Sequence, residues 1–339
     1  MNVPDAPSIP HGATAVRPHW SELPDAVRAR LEERLGSPVV AEASQGSGYT
    51  HGFASRLLTK DGERVFVKAA GDDTSAAVAD CYRAEARIVP LLPPGVPAPE
   101  LRWTSEDDGW VVLCFEDVPG RPPERPWRPA ELASVLTALT DMGEALTSRP
   151  DGLVVPEARD WLRDDFGHWR RLADLGDETV SGSGSGSDAD SGAHHGAGAP
   201  DSRMAELVTL DDQALDSLHG DSVVHCDLRD DNVIIGDDGR VWVCDWNWPS
   251  TGAAWLDVLT LLISARGDGY DADALFAAHP LGAAADREAV DSVLAGLAGY
   301  FTHASLQPVP GLSPHLRAHQ AWYAEATLSW LAVRRGWVG

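Results

Sequence analysis

Asp227, Asn232 and Asp245 set the chemistry open to this chain. Asn232 follows Asp227 by five residues and Asp245 follows it by eighteen, within His225-Cys226-Asp227-Leu228-Arg229-Asp230-Asp231-Asn232 and Val241-Trp242-Val243-Cys244-Asp245-Trp246. A carboxylate, an amide and a second carboxylate so spaced answer the needs of phosphoryl transfer from a nucleotide. Asp227 would accept or orient a hydroxyl proton, and Asn232 and Asp245 would offer hard oxygens to Mg2+ on the phosphates. A single carboxylate is ordinarily a solvated surface group; the joint pattern carries the reading.

Such groups work only if elements hold them at fixed distances. Val233-Ile234-Ile235 and Val241-Trp242-Val243, joined across Asp237-Asp238-Gly239, read as a hairpin that spaces Asn232 from Asp245. Upstream, Val65-Phe66-Val67-Lys68 is an alternating strand ending in a lysine. A strand-end lysine is usually just solvated, but this one follows the Gly-rich stretch Gln45 to Gly52 and can point at α and β phosphates. In that stretch Gly46, Ser47 and Gly48 would bring backbone N–H groups close to phosphate oxygens. The spacing G-x-G-x-x-x-G is one residue longer than the protein-kinase form, and a plain hairpin turn would look similar. Glu85, sharing a helical face with Cys81 and Ile88, is the candidate partner of Lys68. Arg83 and Arg87 beside it offer an ordinary surface pairing instead.

With Cys226 where protein kinases carry Arg, and Trp246-Asn247 where they carry Phe-Gly, the motif set resembles that of the aminoglycoside phosphotransferase and choline kinase group. The resemblance covers roughly residues 40 to 335 and rests on several motifs in one order. It implies an α+β, protein-kinase-like two-lobe fold: a small five-stranded antiparallel N-lobe with one helix, and a larger, mainly helical C-lobe. It also implies adenine contacts from the backbone of Phe115, Glu116 and Val118, a Lys68–Glu85 ion pair, and a structural His225 beneath the metal loop. Asp257 would hydrogen-bond back to the catalytic loop.

The implied activity is transfer from ATP, or alternatively GTP, to a hydroxyl of an aminoglycoside or related amino-sugar. Choline, macrolides, sugars and homoserine are other acceptors within the group, and the segments expected to form the acceptor pocket, 248–270 and 316–337, carry no readable code. A catalytically silent nucleotide-binding regulator is the non-enzyme alternative, against which Lys68, Asp227, Asn232 and Asp245 together argue. A protein kinase would need an activation segment, and only twelve residues separate Asp245 from Asp257.

The rest of the chain supplies the scaffold. Residues 1–20, Pro-rich and aperiodic, read as a flexible arm, and a helix follows from Pro24 to its stop at Gly36. Strands at 39–43, 54–58 and 64–69, a helix at 74–91 and strands at 101–104 and 110–115 make an N-lobe over 21–118. The C-lobe spans 119–339, with helices around Leu132 to Leu146, Leu256 to Ala265, Val290 to Phe301 and Leu316 to Val333. Residues 181–202, Gly/Ser-rich with only Ala as apolar content, read as a disordered insertion.

The 339 residues are 43% hydrophobic, enough for a substantial core, and 52 acidic against 27 basic residues give a formal charge of −25. That balance argues against nucleic-acid binding and tolerates a cationic substrate. No apolar stretch approaches a membrane span, and four cysteines without a C-x-x-C pair fit a reducing cytoplasm.

Overall fold

A computed structural model describes residues 14–181 and 199–337. In its N-terminal part, helix α1 (Asp25–Leu35) precedes strands β1 (Val39–Ser44), β2 (Phe53–Thr59) and β3 (Arg64–Gly71). Helix α2 (Asp72–Ile88) and strands β4 (Leu101–Asp107) and β5 (Trp110–Glu116) follow. The strands form one sheet in the order β1-β2-β3-β5-β4, antiparallel at every pairing.

Side chains alternate across a strand, so parity decides which residues meet the cleft. Val65, Val67 and Ala69 of β3 join Val112 and Cys114 of β5 and close a core under Val27 and Leu31 of α1. Phe66 and Ala70 lie on the other side with Leu113 and Phe115, against α2. Lys68 pairs with Leu113 in the β3–β5 register and therefore shares that second side. Pro24 occupies the N-cap of α1 rather than its first turn, and Gly36 ends the helix at φ 72°, a left-handed conformation that favours glycine.

The C-terminal part is mostly helical. Strand β6 (Gly120–Arg121) leads to helices α3 (Pro129–Ala145), α4 (Ala158–Trp161), α5 (His168–Ser181) and α6 (Ala199–Ser217). Strands β7 (Ser222–Val224), β8 (Val233–Gly236), β9 (Val241–Val243) and β10 (Ser250–Gly252) come next. Helices α7 (Leu256–Gly267), α8 (Ala272–Ala278), α9 (Pro280–Ala283), α10 (Arg287–Ser305) and α11 (Leu316–Arg334) complete the chain. The expected hairpin is β8–β9, to which β6 adds an edge. Val258, Leu262, Val293 and Trp330, all but inaccessible, mark the helical core. This is the two-lobe α+β fold implied by the resemblance.

Two expectations need correction. Residues 14–20 are not a loose arm: the amides of Thr14 and Ala15 donate to the Gly46 carbonyl at 2.8 and 3.0 Å, and that of Val16 to Leu312 at 2.9 Å. Extended backbone without helical or strand periodicity can still be fixed when neighbouring loops satisfy its polar groups. Residues 1–13 lie outside the described residues. The expected insertion at 181–202 lies outside them only from 182 to 198, since α5 and α6 reach Ser181 and Ala199. Pro200 falls in the first turn of α6, where a missing N–H costs nothing.

Candidate active site

Strand β3 delivers Lys68 into the interior, where Nζ donates to Glu85 of α2 at 2.8 and 2.7 Å and ion-pairs with Asp245. Burial works against the Lys68 charge, but Asp245 and Glu85 hold its pKa above the ordinary value. Burial also opposes the Asp245 anion, and there Lys68 prevails and keeps the carboxyl below its usual range. Glu85, 2% exposed, is pushed up by burial despite Lys68, since one ammonium serves two carboxylates.

The β8–β9 hairpin sets the distance between the two expected metal ligands. Its register pairs Val233 with Val243, and just beyond it the Cys244 amide donates to the Asn232 carbonyl at 2.8 Å. Asp245 follows with φ 62°, a left-handed conformation uncommon outside glycine and tolerated by Asp. Below it His225 Nε2 donates to the Cys244 carbonyl at 2.8 Å, and its ring meets Trp246 edge-on at 4.8 Å. Asp257, near the start of α7, accepts from the amides of His225 at 2.8 Å and Cys226 at 3.1 Å. Both residues are therefore braces of the loop.

Asn232 Nδ2 donates to the Asp227 carbonyl at 2.7 Å and lies 3.4 Å from its Oδ2. Arg229 ion-pairs with Asp227 and holds Asp231 through Nε at 2.9 Å and Nη2 at 3.1 Å. Burial raises the Asp227 pKa; Arg229 opposes that shift without cancelling it, and Asp231 adds to it. Asp230 points the other way, to Arg125 at 2.7 Å and the Tyr323 hydroxyl at 3.1 Å, and Arg125 in turn holds Asp268. That buried chain bolts the catalytic loop to α7 and α11.

One cleft, enclosing about 1110 Å³ with its open mouth, is lined by Ser47, Gly48, Lys68, Glu85, Asn232 and Asp245. Its apolar walls include Val89, Ala98, Phe115, Val118 and Ile234, a surface suited to a flat heterocycle. Glu116 lines it as well, with its carboxylate accepting from the Glu100 amide at 2.9 Å. Two expected residues stand apart from this lining. Gly46 turns its carbonyl to the Thr14–Ala15 amides, and Asp227 lies just beyond Asn232, with 37% of its side chain accessible.

A divalent cation fits the residues present. Asn232 engages Asp227 through Nδ2, which leaves its oxygen for a cation, and Asp245 is held anionic. Asn247 Oδ1, in the same cleft, is buried with no hydrogen-bond partner among the described residues. Among the described residues no group of three or more His, Cys, Asp and Glu could hold a metal by itself. Phosphate oxygens and water would complete such a shell.

Sequence reasoning missed several neighbours. Arg17, Asn247 and Asp231 line the cleft. Tyr49 hydrogen-bonds His319 of α11, while the Ser313 hydroxyl donates to the Tyr49 carbonyl at 2.6 Å. Burial and Asp231 keep Tyr49 a phenol, and burial pushes His319 down to about 4, so the hydroxyl donates to a neutral ring. In the C-terminal part Trp161, four residues before Asp165, stacks on Trp248 with ring centroids 4.4 Å apart. Burial, Asp164 and Asp227 push Asp165 up to about 6. Tyr49, Asp231 and Asn247 lie within the motif segments, and Trp248 and His319 within the segments expected to form the acceptor pocket, whereas Arg17, Trp161 and Asp165 belong to neither; for Asp165 only the run Asp164-Asp165 could have drawn notice.

Fold and cleft define a two-lobed protein of the kinase-like class. The chain belongs to the phosphotransferase enzyme family (APH), whose model matches residues 46–293. Solved structures agree in fold. Aminoglycoside phosphotransferase APH(4)-Ia, as a thermostable mutant in ternary complex with ADP and hygromycin B, superposes with a TM-score of 0.60 at 14% identity, covering 93% of this chain and 99% of that one. An aminoglycoside phosphotransferase from Alicyclobacillus acidocaldarius gives 0.51 at 16% identity, covering 88% and 92%. Choline kinase LicA from Streptococcus pneumoniae gives 0.54 at 13%, covering 91% and 98%. No curated protein matches the chain in sequence. Among the described residues no helix is long and apolar enough to cross a membrane.

Proposed function

We propose that the protein transfers the γ-phosphoryl group of ATP to a hydroxyl of a cationic amino-sugar or related natural product. The observation that carries the reading is the convergence of Lys68, Glu85, Asn232 and Asp245 on one cleft with Asp227 at its edge. Family relatives in the same fold were captured with ADP and hygromycin B, and with AMP. Lys68 would bind phosphate oxygens, held in aim by Glu85. Asn232 and Asp245 would hold Mg2+, which supplies charge neutralisation on the phosphates. Asp227 would orient the acceptor hydroxyl and take its proton, a task eased by burial that raises its pKa.

Acceptor class rests on charge and aromatic surface. Asp164, Asp165 and Asp227 gather negative charge where the acceptor would approach, and the Trp161–Trp248 stack offers a face to a sugar ring or an ammonium. A chain carrying −25 would steer such a cation toward it. All four cysteines are free, which supports a reducing, cytoplasmic setting.

The test is Mg2+-dependent ATP consumption by wild type and Asp227→Asn over amino-sugar antibiotics, choline, macrolides and free sugars. Turnover with amino-sugars, lost in the variant, is expected. Turnover with choline or a neutral acceptor alone would move the acceptor assignment, and turnover untouched by Asp227→Asn would refute the catalytic one. ATP binding without transfer to any acceptor would favour the silent regulator.

A further inference from the structure

Arg17 enters the cleft from a segment that belongs to neither the sheet nor the helices. Thr14 and Ala15 anchor that segment to the Gly46 carbonyl, Thr14 Oγ1 donates to the Gly48 carbonyl at 2.5 Å, and Val16 ties it to Leu312. The Arg17 guanidinium thereby sits against the Gly-rich loop, donating through Nη2 to the Ser47 carbonyl at 2.9 Å and through Nη1 to the Gly52 carbonyl at 3.0 Å. A Cβ at Gly48, whose φ is 78°, would lie 3.4 Å from Arg17 Nη2. Loop and guanidinium are in packing contact.

Three basic side chains line the cleft, and their partners differ. Lys68 faces Glu85 and Asp245, and Arg56 faces Asp117 at 3.3 Å. Arg17 has no carboxylate within ion-pair distance among the described residues; its bonds go to carbonyls and to Thr50 Oγ1. Its Nε is buried without a hydrogen-bond partner among the described residues. A buried N–H left unpaired is costly, and a guanidinium paired only with neutral carbonyls keeps its full charge for an anion. That charge already acts on the Asp245 carboxylate across the cleft, after burial and Lys68.

We propose that Arg17 is a phosphate-binding residue of the nucleotide site, gripping the polyphosphate from the Gly-rich loop while Lys68 grips it from the sheet. The N-terminal segment then completes the site, and seating of residues 14–17 and binding of nucleotide favour one another. A planar fork matches phosphate oxygens in a way an ammonium cannot. The assignment rests on the nucleotide reading above.

Calorimetric titration of full-length wild type, Arg17→Ala and Arg17→Lys with ATP, ADP, AMP and adenosine tests it. Arg17→Ala should weaken ATP by about 10- to 100-fold, the worth of a charge-assisted contact. The loss should shrink as phosphates are removed and vanish for adenosine, and Arg17→Lys should recover part of it. Equal losses for ATP and adenosine would mean that Arg17 only shapes the loop, and unchanged ATP affinity would mean that it binds no phosphate; either result overturns the assignment while leaving the kinase reading standing. A wild type that binds no ATP would overturn both.

Discussion

The two sides of Asp227 are built on different principles. On the nucleotide side, Lys68 rides a central strand, Glu85 a helix packed on that sheet, and Asn232 and Asp245 the two ends of a hairpin. Lys68, Glu85 and Asp245 are charge-paired with one another, and backbone geometry leaves them little freedom. On the side proposed for the acceptor, Trp161 closes a one-turn helix, Asp164 and Asp165 follow it, and Trp248 comes from the chain just after Asp245. Among the described residues neither Asp164 nor Asp165 has an ion-pair partner, Arg163 pairing with Asp160 instead. On the proposed reading, the groups for phosphoryl transfer sit on regular elements, whereas the groups for the acceptor sit on short segments outside the sheet.

The largest effect that sharpens the contrast is loss of the proposed base. Asp227→Asn should lower kcat by about 10²- to 10⁴-fold, with ATP affinity by calorimetry unchanged, because Asp227 lies outside the nucleotide lining. Next comes the buried cation. Lys68→Ala leaves the buried Glu85 and the half-buried Asp245 without their ammonium and should cost about 3–5 kcal/mol of stability in a denaturant melt, most of it from Glu85. A Lys68→Met, Glu85→Leu double variant should recover much of that stability and none of the ATP binding. If the double variant stayed as unstable as the single one, charge balance would not be what holds this side together.

On the acceptor side, Trp161→Ala should raise the acceptor KM by roughly tenfold, as for loss of a face contact, and leave the ATP KM alone. A parallel rise in both would erase the division between the two sides. Asp165, pushed up to about 6, is charged only above that pH. The KM of a cationic acceptor should therefore fall as pH rises from 5 to 7, and Asp165→Asn should flatten the profile. The sign for stability is opposite. A carboxyl whose folded pKa is raised favours the fold when protonated, so its contribution is lost as pH rises through about 6, and Asp165→Asn should melt higher than wild type at pH 7.5.

The smallest effect concerns the latch between lobes. His319 is held neutral, down to about 4 against an ordinary value near 6.5. The folded state therefore binds its proton less readily than the unfolded one, and the stability it brings is present above 6.5 and lost as pH falls toward 4. His319→Gln, which cannot take up that proton, should show a shallower decline in melting temperature between pH 7 and 5.

Most of the nucleotide side was legible in the sequence because strand parity and hairpin length translate spacing into position. Val65-Phe66-Val67-Lys68 fixes the face of Lys68, and the run from Asn232 to Asp245 folds over one hairpin. Asp257 and His225 also stand where the motif order implied, bracing the loop. Arg17 escaped notice because its position comes from backbone hydrogen bonds to Gly46 and Leu312, which leave no periodic trace in a Pro-rich segment. Trp161 and Asp165, four residues apart on one segment, escaped because that segment meets Trp248 and Asp227 only in the fold, and no local rule predicts such a meeting.

The most direct test of the account is the fate of the transferred phosphorus. Phosphorus NMR of wild type with ATP, Mg2+ and an amino-sugar acceptor should show ADP and one new phosphate monoester on an acceptor hydroxyl, absent with Asp227→Asn. Release of inorganic phosphate alone, or an ester that forms equally well with Asp227→Asn, would contradict it.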